Sequence, residues 1–165
     1  VRIALIGPRA AGKSTVGRLL AERAELTLVD TDERIVERAG RTIAELFADG
    51  SFREREQEAV AEALALESGV VALGGGAVLW DGIEDALRGW GVVQLTANVD
   101  TLAARIRSQA GDRPSLTGAA PDAEVAAVVA ARKNRYSQLS DFSVATDIFD
   151  EGEVARRILA WWRNR

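Results

Sequence analysis

The 165-residue chain contains no cysteine and no histidine. The first absence removes any disulfide framework and any thiolate nucleophile. Both together remove the usual zinc ligands, so a metal here must be held by oxygen, which suits Mg²⁺. The chain also lacks a Lys/Arg-rich block; 21 basic against 25 acidic residues leave a net charge of -4. That argues against a nucleic-acid footprint and against a polybasic membrane anchor. No apolar run approaches the length needed to span a bilayer, and none reads as a secretory signal. What remains is ordinary globular composition, 47% hydrophobic and 28% charged. At this length one domain over residues 1–165 with a sizeable core is expected. A cytoplasmic, soluble enzyme acting on small molecules, without nucleic-acid or membrane partners, fits these bounds.

The most informative stretch lies at the start. Val1 to Ile6 is a short apolar run, as in a buried parallel strand. It leads straight into Gly7-Pro8-Arg9-Ala10-Ala11-Gly12-Lys13-Ser14-Thr15, a full G-x-x-x-x-G-K-[ST] match. Val16, Leu19 and Leu20 then recur at helical spacing. Strand, glycine-bounded loop and helix N-terminus in that order turn a nest of backbone N–H groups toward an anion. The N–H groups of Ala10, Ala11, Gly12, Lys13, Ser14 and Thr15 are therefore expected to cradle a nucleoside triphosphate. Lys13 is expected to reach its β/γ-phosphates, and the Ser14 hydroxyl to hold Mg²⁺.

Further apolar strand candidates lie at 26–29, 70–73, 91–95 and 142–145, with helical patterns between nearly all of them. Alternation of that kind predicts an α/β fold with a five-stranded parallel sheet covered on both faces. The stretch 31–68 breaks the alternation and reads as two or three short helices. Arg41-Thr42 offers a cap before Ile43, and Asp49-Gly50 a break. Such an insertion near strand carboxyl ends is where a second substrate would be held. Residues 110–121, with Gly111, Pro114, Gly118 and Pro121, read as a lid loop.

Three features carry chemistry beyond the phosphate loop. On the helix beginning near Asp122, Arg132 continues the apolar stripe of Val125, Val128 and Val129. Arg53 stands at the amino end of another stripe containing Val60 and Leu64. A buried guanidinium needs an anionic partner, which is either an internal carboxylate or a ligand. Asp30 and Asp32 form a D-x-D at the end of the second strand. One carboxylate can order a metal shell and the other accept a hydroxyl proton, or Asp32 can serve as a helix cap. Gly74-Gly75-Gly76 follows the third strand, and three glycines together suit close approach of backbone to ligand. In the lid, Arg113 is placed to fold onto a transferring phosphoryl group, and Arg107 just before it to stack on an adenine face.

With these residues in order, the chain resembles the shikimate kinases. The resemblance rests on the phosphate loop, Asp30-Thr31-Asp32, Gly40-Arg41-Thr42-Ile43-Ala44-Glu45-Leu46-Phe47, Phe52-Arg53-Glu54-Arg55-Glu56, Gly74-Gly75-Gly76, Arg113-Pro114, and Arg132 with Tyr136. It implies the three-layer P-loop NTPase fold and ATP-dependent phosphorylation of the shikimate 3-hydroxyl, a step toward chorismate and the aromatic amino acids. It further implies that Arg53 and Arg132 hold the shikimate carboxylate, and that Asp32 grips the hydroxyls and accepts the reacting proton. Gly75 and Gly76 then supply backbone contacts, while Ile43, Phe47 and Phe52 shape the pocket. One Mg²⁺ would lie at Ser14 and Asp30, and Arg113 would meet ATP. The enzyme is expected to be a monomer. The chain departs from the family pattern at Arg9, Ala10 and Ala11 in the loop, at Ser115 in the lid, at Asn134, and at Phe149 on the adenine side. Alanine suits the loop only where φ stays negative.

Two other readings compete. A gluconate-type sugar-acid kinase would share Lys13, Ser14 and a carboxylate-binding arginine, but the F-R-x-x-E after the D-x-D argues against it. A nucleotide switch should show N-K-x-D and D-x-x-G, and this chain has neither. A paralog without activity would be expected to lose some of Lys13, Asp32, Arg53, Arg113 and Arg132, all of which are present.

Overall fold

The computed structural model describes residues 1–109 and 121–165. Its centre is β1 (Arg2–Ile6), whose residues 3–6 are fully buried. It pairs in parallel with β3 (Gly69–Ala72) on one side and β4 (Gly91–Thr96) on the other. β2 (Leu28–Asp30) lies outside β3, and β5 (Phe142–Ala145) outside β4, giving the order β2-β3-β1-β4-β5 with every pairing parallel. All five expected strands are present. The second starts two residues later than expected and ends on Asp30, the first residue of the D-x-D.

Alternation along the central strands divides the core in two. Ile3, Leu5, Val93 and Leu95 face one layer, where α1 (Lys13–Ala24), α6 (Val99–Ser108) and α8 (Glu151–Arg163) contribute Leu20, Leu102 and Ile158. Ala4, Ile6, Val71 and Leu73 face the other, against Val60 of α4 (Phe52–Leu64) and Tyr136 of α7 (Pro121–Leu139). Side chains on a strand point alternately to opposite faces, so near-continuous apolar runs are what a doubly covered sheet requires. The short α5 (Ile83–Ala86) follows a single 3-10 turn at Ala77–Leu79 and brings Ile83 to this second layer.

The stretch 31–68 holds three helices: α2 (Thr31–Ala39), α3 (Ile43–Ala48) and α4. They form a small core of their own from Ile35, Ile43, Leu46, Phe52 and Ala59. Thr42 caps α3 in a full capping box with Glu45, as Arg41-Thr42 suggested, and Gly50 breaks the chain at φ 78°. α4 is not short: it runs 13 residues because one face is needed by the sheet and another by the insertion. The carboxyl ends of all five strands lie on one edge, so the loops after Ile6, Asp30, Ala72, Thr96 and Ala145 converge there.

Candidate active site

The phosphate loop leaves β1 through Gly7, at φ 142°. A Cβ there would lie 2.3 Å from the Leu95 carbonyl oxygen, so only glycine lets the loop turn beside β4. Gly12, at φ 91°, is the N-cap of α1 and makes no side-chain cap, which leaves the first N–H groups of the helix for an anion. Lys13 Nζ donates to the carbonyls of Gly7 and Pro8 at 2.9 and 2.8 Å. Ala11 is wholly buried in the core and keeps negative φ, whereas Ala10 adopts φ 63°. The expectation that alanine occurs only at negative φ thus fails at Ala10. Arg105 Nη1 holds the Ala10 carbonyl at 3.1 Å and helps to fix that left-handed residue.

A cavity of about 730 Å³ opens over this loop, lined by Lys13, Ser14, Thr15, Asp30 and Phe149 among others. Ser14 Oγ donates to Asp30 Oδ2 at 2.5 Å, so the two expected metal-site oxygens are adjacent. Asp30 has a second task. Its Oδ1 accepts from the backbone N–H of Asp32 and Glu33 at 3.0 and 3.2 Å, capping α2. The cap is therefore Asp30, and Asp32 stands inside the first turn, 8% exposed. Between them, the buried Thr31 Oγ1 accepts from Gly74 N–H at 3.0 Å and ties α2 to the end of β3.

Beside the large cavity lies a narrower cleft bounded by the insertion and the glycine triplet. Asp32, Arg53, Arg132, Gly75 and Gly76 line it, and Ile43, Phe47 and Phe52 form its apolar wall. Every residue expected at an acceptor site is thus gathered in one place. Phe47 and Phe52 stack with ring centroids 4.2 Å apart, and the Arg53 guanidinium lies 5.3 and 5.4 Å from them. Arg53 also ion-pairs with Glu56, which is 4% exposed. Burial pushes the Glu56 carboxyl above its ordinary range, against the pull of Arg53, and the nearby Asp32 adds to the rise. Arg132 Nη1 donates to the Gly75 carbonyl at 2.9 Å, and the Tyr136 hydroxyl donates to the same oxygen at 2.7 Å. Burial raises the Tyr136 pKa, which keeps that hydroxyl a donor.

The glycine triplet has a more specific reason than easy ligand approach. A Cβ at Gly74 would sit 2.7 Å from Asp32 Oδ1 and 2.8 Å from Glu56 Oε1. One at Gly76 would sit 2.2 Å from Arg53 Nη1. These two glycines make room for charged side chains of the cleft itself. Gly75 is less crowded, its nearest neighbour being the Arg9 backbone nitrogen at 3.4 Å.

Two expectations of the sequence fall elsewhere. Arg107 is exposed, ion-paired with Asp122, and outside the lining of the large cavity. The arginine of α6 that lines the cavity is Arg105, which also donates to Thr146 Oγ1 at 3.0 Å and to its carbonyl at 2.7 Å. Arg113 and most of the lid lie outside the described residues. Glu56, Arg105, Thr31 and Tyr136 were not singled out in sequence as site residues. Glu56 has a visible signal, the glutamate three residues after Arg53 in F-R-x-x-E; Tyr136 follows Arg132 by one helical turn. Arg105 has none, since its partners are loop carbonyls brought in by β1 and β5.

Comparison with known proteins agrees with this geometry. The family model described as shikimate kinase matches residues 9–163. A shikimate kinase of Symbiobacterium thermophilum is 43% identical over 170 residues, covering 100% of this chain and 98% of its own. One of Pseudomonas entomophila is 44% identical over 147 residues, covering 87% of this chain and 85% of its own. Among solved structures, the shikimate kinase of Acinetobacter baumannii in complex with shikimate superposes with a TM-score of 0.91 at 29% identity, over 98% of this chain and 92% of that one.

Proposed function

Because this chain belongs to the shikimate kinase family, we propose that it transfers the γ-phosphoryl group of ATP to the 3-hydroxyl of shikimate, giving shikimate 3-phosphate and ADP. The observation that carries the reading is the meeting of a phosphate-loop cavity and an arginine-flanked cleft at one buried carboxylate, Asp32. The reaction belongs to the shikimate pathway toward the aromatic amino acids.

Each residue then has a task. ATP phosphates lie on the N–H groups of residues 10–15, and Lys13 moves its ammonium from loop carbonyls to phosphate oxygens, where charge-assisted bonds are stronger. Arg53 and Arg132 take the shikimate carboxylate. Arg53 is set for this by its pair with Glu56 and its aromatic support, Arg132 by its bond to Gly75. The phenylalanine pair and Ile43 cover the ring's apolar face, while the backbone at Gly75 and Gly76 meets its hydroxyls. Asp32 accepts the proton of the 3-hydroxyl as its oxygen attacks phosphorus. Catalysis is chiefly alignment and charge stabilisation of the moving group.

A divalent cation fits the residues present. Ser14 and Asp30 offer adjacent hard oxygen donors, and the chain has no cysteine or histidine to favour a softer metal. Among the described residues no cluster of three or more acidic side chains forms a cage. Mg²⁺ is the cation that takes few protein ligands beside phosphates and water, and Ser14 and Asp30 would hold it. When bound it would neutralise phosphate charge. No helix among the described residues is long and apolar enough to cross a membrane. The unit we propose is one domain over 1–165, acting as a monomer.

The reading is tested by incubating the protein with ATP, Mg²⁺ and shikimate and locating the phosphate by ³¹P–¹H correlation. Phosphate on the 3-oxygen is expected. Phosphate on another hydroxyl, or no phosphorylated ring, would overturn the assignment.

A further inference from the structure

Resting on that reading, we infer that Arg9 is a second-position cation of the transfer step: its guanidinium binds the phosphoryl group as it passes from ATP to the acceptor, and then the product phosphate. Arg9 is the third residue of the phosphate loop. Among the described residues only it and Asp32 line both the large cavity and the narrow cleft. The backbone of Arg9 packs toward Gly75, the residue whose carbonyl anchors Arg132 and Tyr136. The side chain is half-buried and its Nε is shielded from solvent. This is a cation built into the phosphate loop itself, at the boundary the phosphoryl group must cross.

The chemistry at that boundary needs one proton acceptor and one fixed positive charge. The shikimate 3-oxygen forms a bond to the γ-phosphorus, the bond to the β,γ-bridging oxygen breaks, and ADP carries away that electron pair. The hydroxyl proton goes to Asp32. Negative charge spreads over the three non-bridging oxygens, and a guanidinium can donate two parallel N–H bonds to them without losing its proton. Arg9 remains protonated throughout. Lys13 and Ser14 stand on the donor side of the loop, Arg53 and Arg132 on the acceptor side, and Arg9 between.

The test uses the full chain as wild type, Arg9→Gln and Arg9→Lys. Turnover is measured together with calorimetric affinities of the ADP-loaded protein for shikimate and for shikimate 3-phosphate. Arg9→Gln is expected to lower kcat by about 100-fold. It should weaken shikimate 3-phosphate at least about tenfold while leaving shikimate within about twofold. Arg9→Lys should recover part of the product affinity, since it keeps the charge but not the fork. Equal weakening of both ligands would assign Arg9 to the shikimate carboxylate or ring and overturn the inference, as would unchanged kcat in Arg9→Gln. If Arg9→Gln fails to fold, Arg9→Lys decides: unaltered kcat and product affinity in that variant would refute a fork contact. Wild-type protein that turns over no shikimate would instead overturn the function itself.

Discussion

Replacing Gly74 by alanine should damage catalysis while leaving the fold nearly intact. Gly74 is not among the residues at positive φ, so its backbone accepts a side chain without strain. The new Cβ would lie 2.7 Å from Asp32 Oδ1 and 2.8 Å from Glu56 Oε1, against a lower limit of 3.0 Å for real contacts. Both atoms are ends of side chains, so the crowding is relieved by moving carboxylates rather than backbone. Asp32 must retreat by at least about 0.3 Å, and a comfortable contact asks for about twice that. Misplacing a catalytic group by about 1 Å costs roughly 100-fold, so a shift of this size should lower kcat about 3- to 30-fold. Overpacking should cost about 1–2 kcal/mol, a fall in Tm of roughly 2–8 °C. The assay is coupled ADP release at saturating ATP and shikimate, with thermal unfolding alongside. Gly76→Ala is the companion: its Cβ would meet Arg53 Nη1 at 2.2 Å, so it should raise KM for shikimate more than it lowers kcat. Gly75→Ala, with nothing nearer than 3.4 Å, should be the mildest of the three. Unchanged kcat in Gly74→Ala, or equal effects at all three positions, would refute the claim that the triplet is shaped by its charged neighbours.

Ala10 stands at φ 63°, where a Cβ costs about 1–2 kcal/mol. Ala10→Gly should therefore raise Tm by up to about 4 °C after the entropy of the unfolded glycine is subtracted, and a fall in Tm would contradict the left-handed assignment. Arg132→Ala should raise KM for shikimate about 10- to 100-fold while KM for ATP stays within about twofold; equal rises in both would place the arginine elsewhere. Burial, the largest cause, raises the Glu56 carboxyl pKa in the folded state. Its contribution to stability is therefore full in acid, below the unfolded value, and is lost as pH rises through the folded one. Relative to wild type, Glu56→Gln should gain Tm as pH rises above about 4, the ordinary glutamate value. A Tm difference independent of pH would show that burial does not govern this carboxyl.

The sheet was legible because its strands are short apolar runs set between helical patterns, and five parallel strands leave few alternatives. The phosphate loop was legible because it is contiguous. Asp32, Arg53 and Arg132 were readable as charges at places where an apolar stripe or a strand end makes charge unusual, and the resemblance assigned their ligand. The sequence could not separate cap from catalyst in Asp30-Thr31-Asp32, because that depends on where β2 ends. Arg105 and Arg107 were indistinguishable by pattern. Only the third dimension shows that one faces the loop carbonyls of Ala10 and Thr146 and the other Asp122. The crowding behind the glycine triplet arises from side chains between 18 and 42 residues away along the chain, beyond the reach of local spacing.

Arg53 and Arg132 are proposed to hold the carboxylate of shikimate while its 3-hydroxyl, beside Asp32, is phosphorylated. The most direct measurement is coupled ADP release with ATP and Mg²⁺, offering shikimate, quinate and gluconate separately. Rapid turnover on shikimate, with little on quinate or gluconate, is the predicted result. Turnover on gluconate without turnover on shikimate would contradict it.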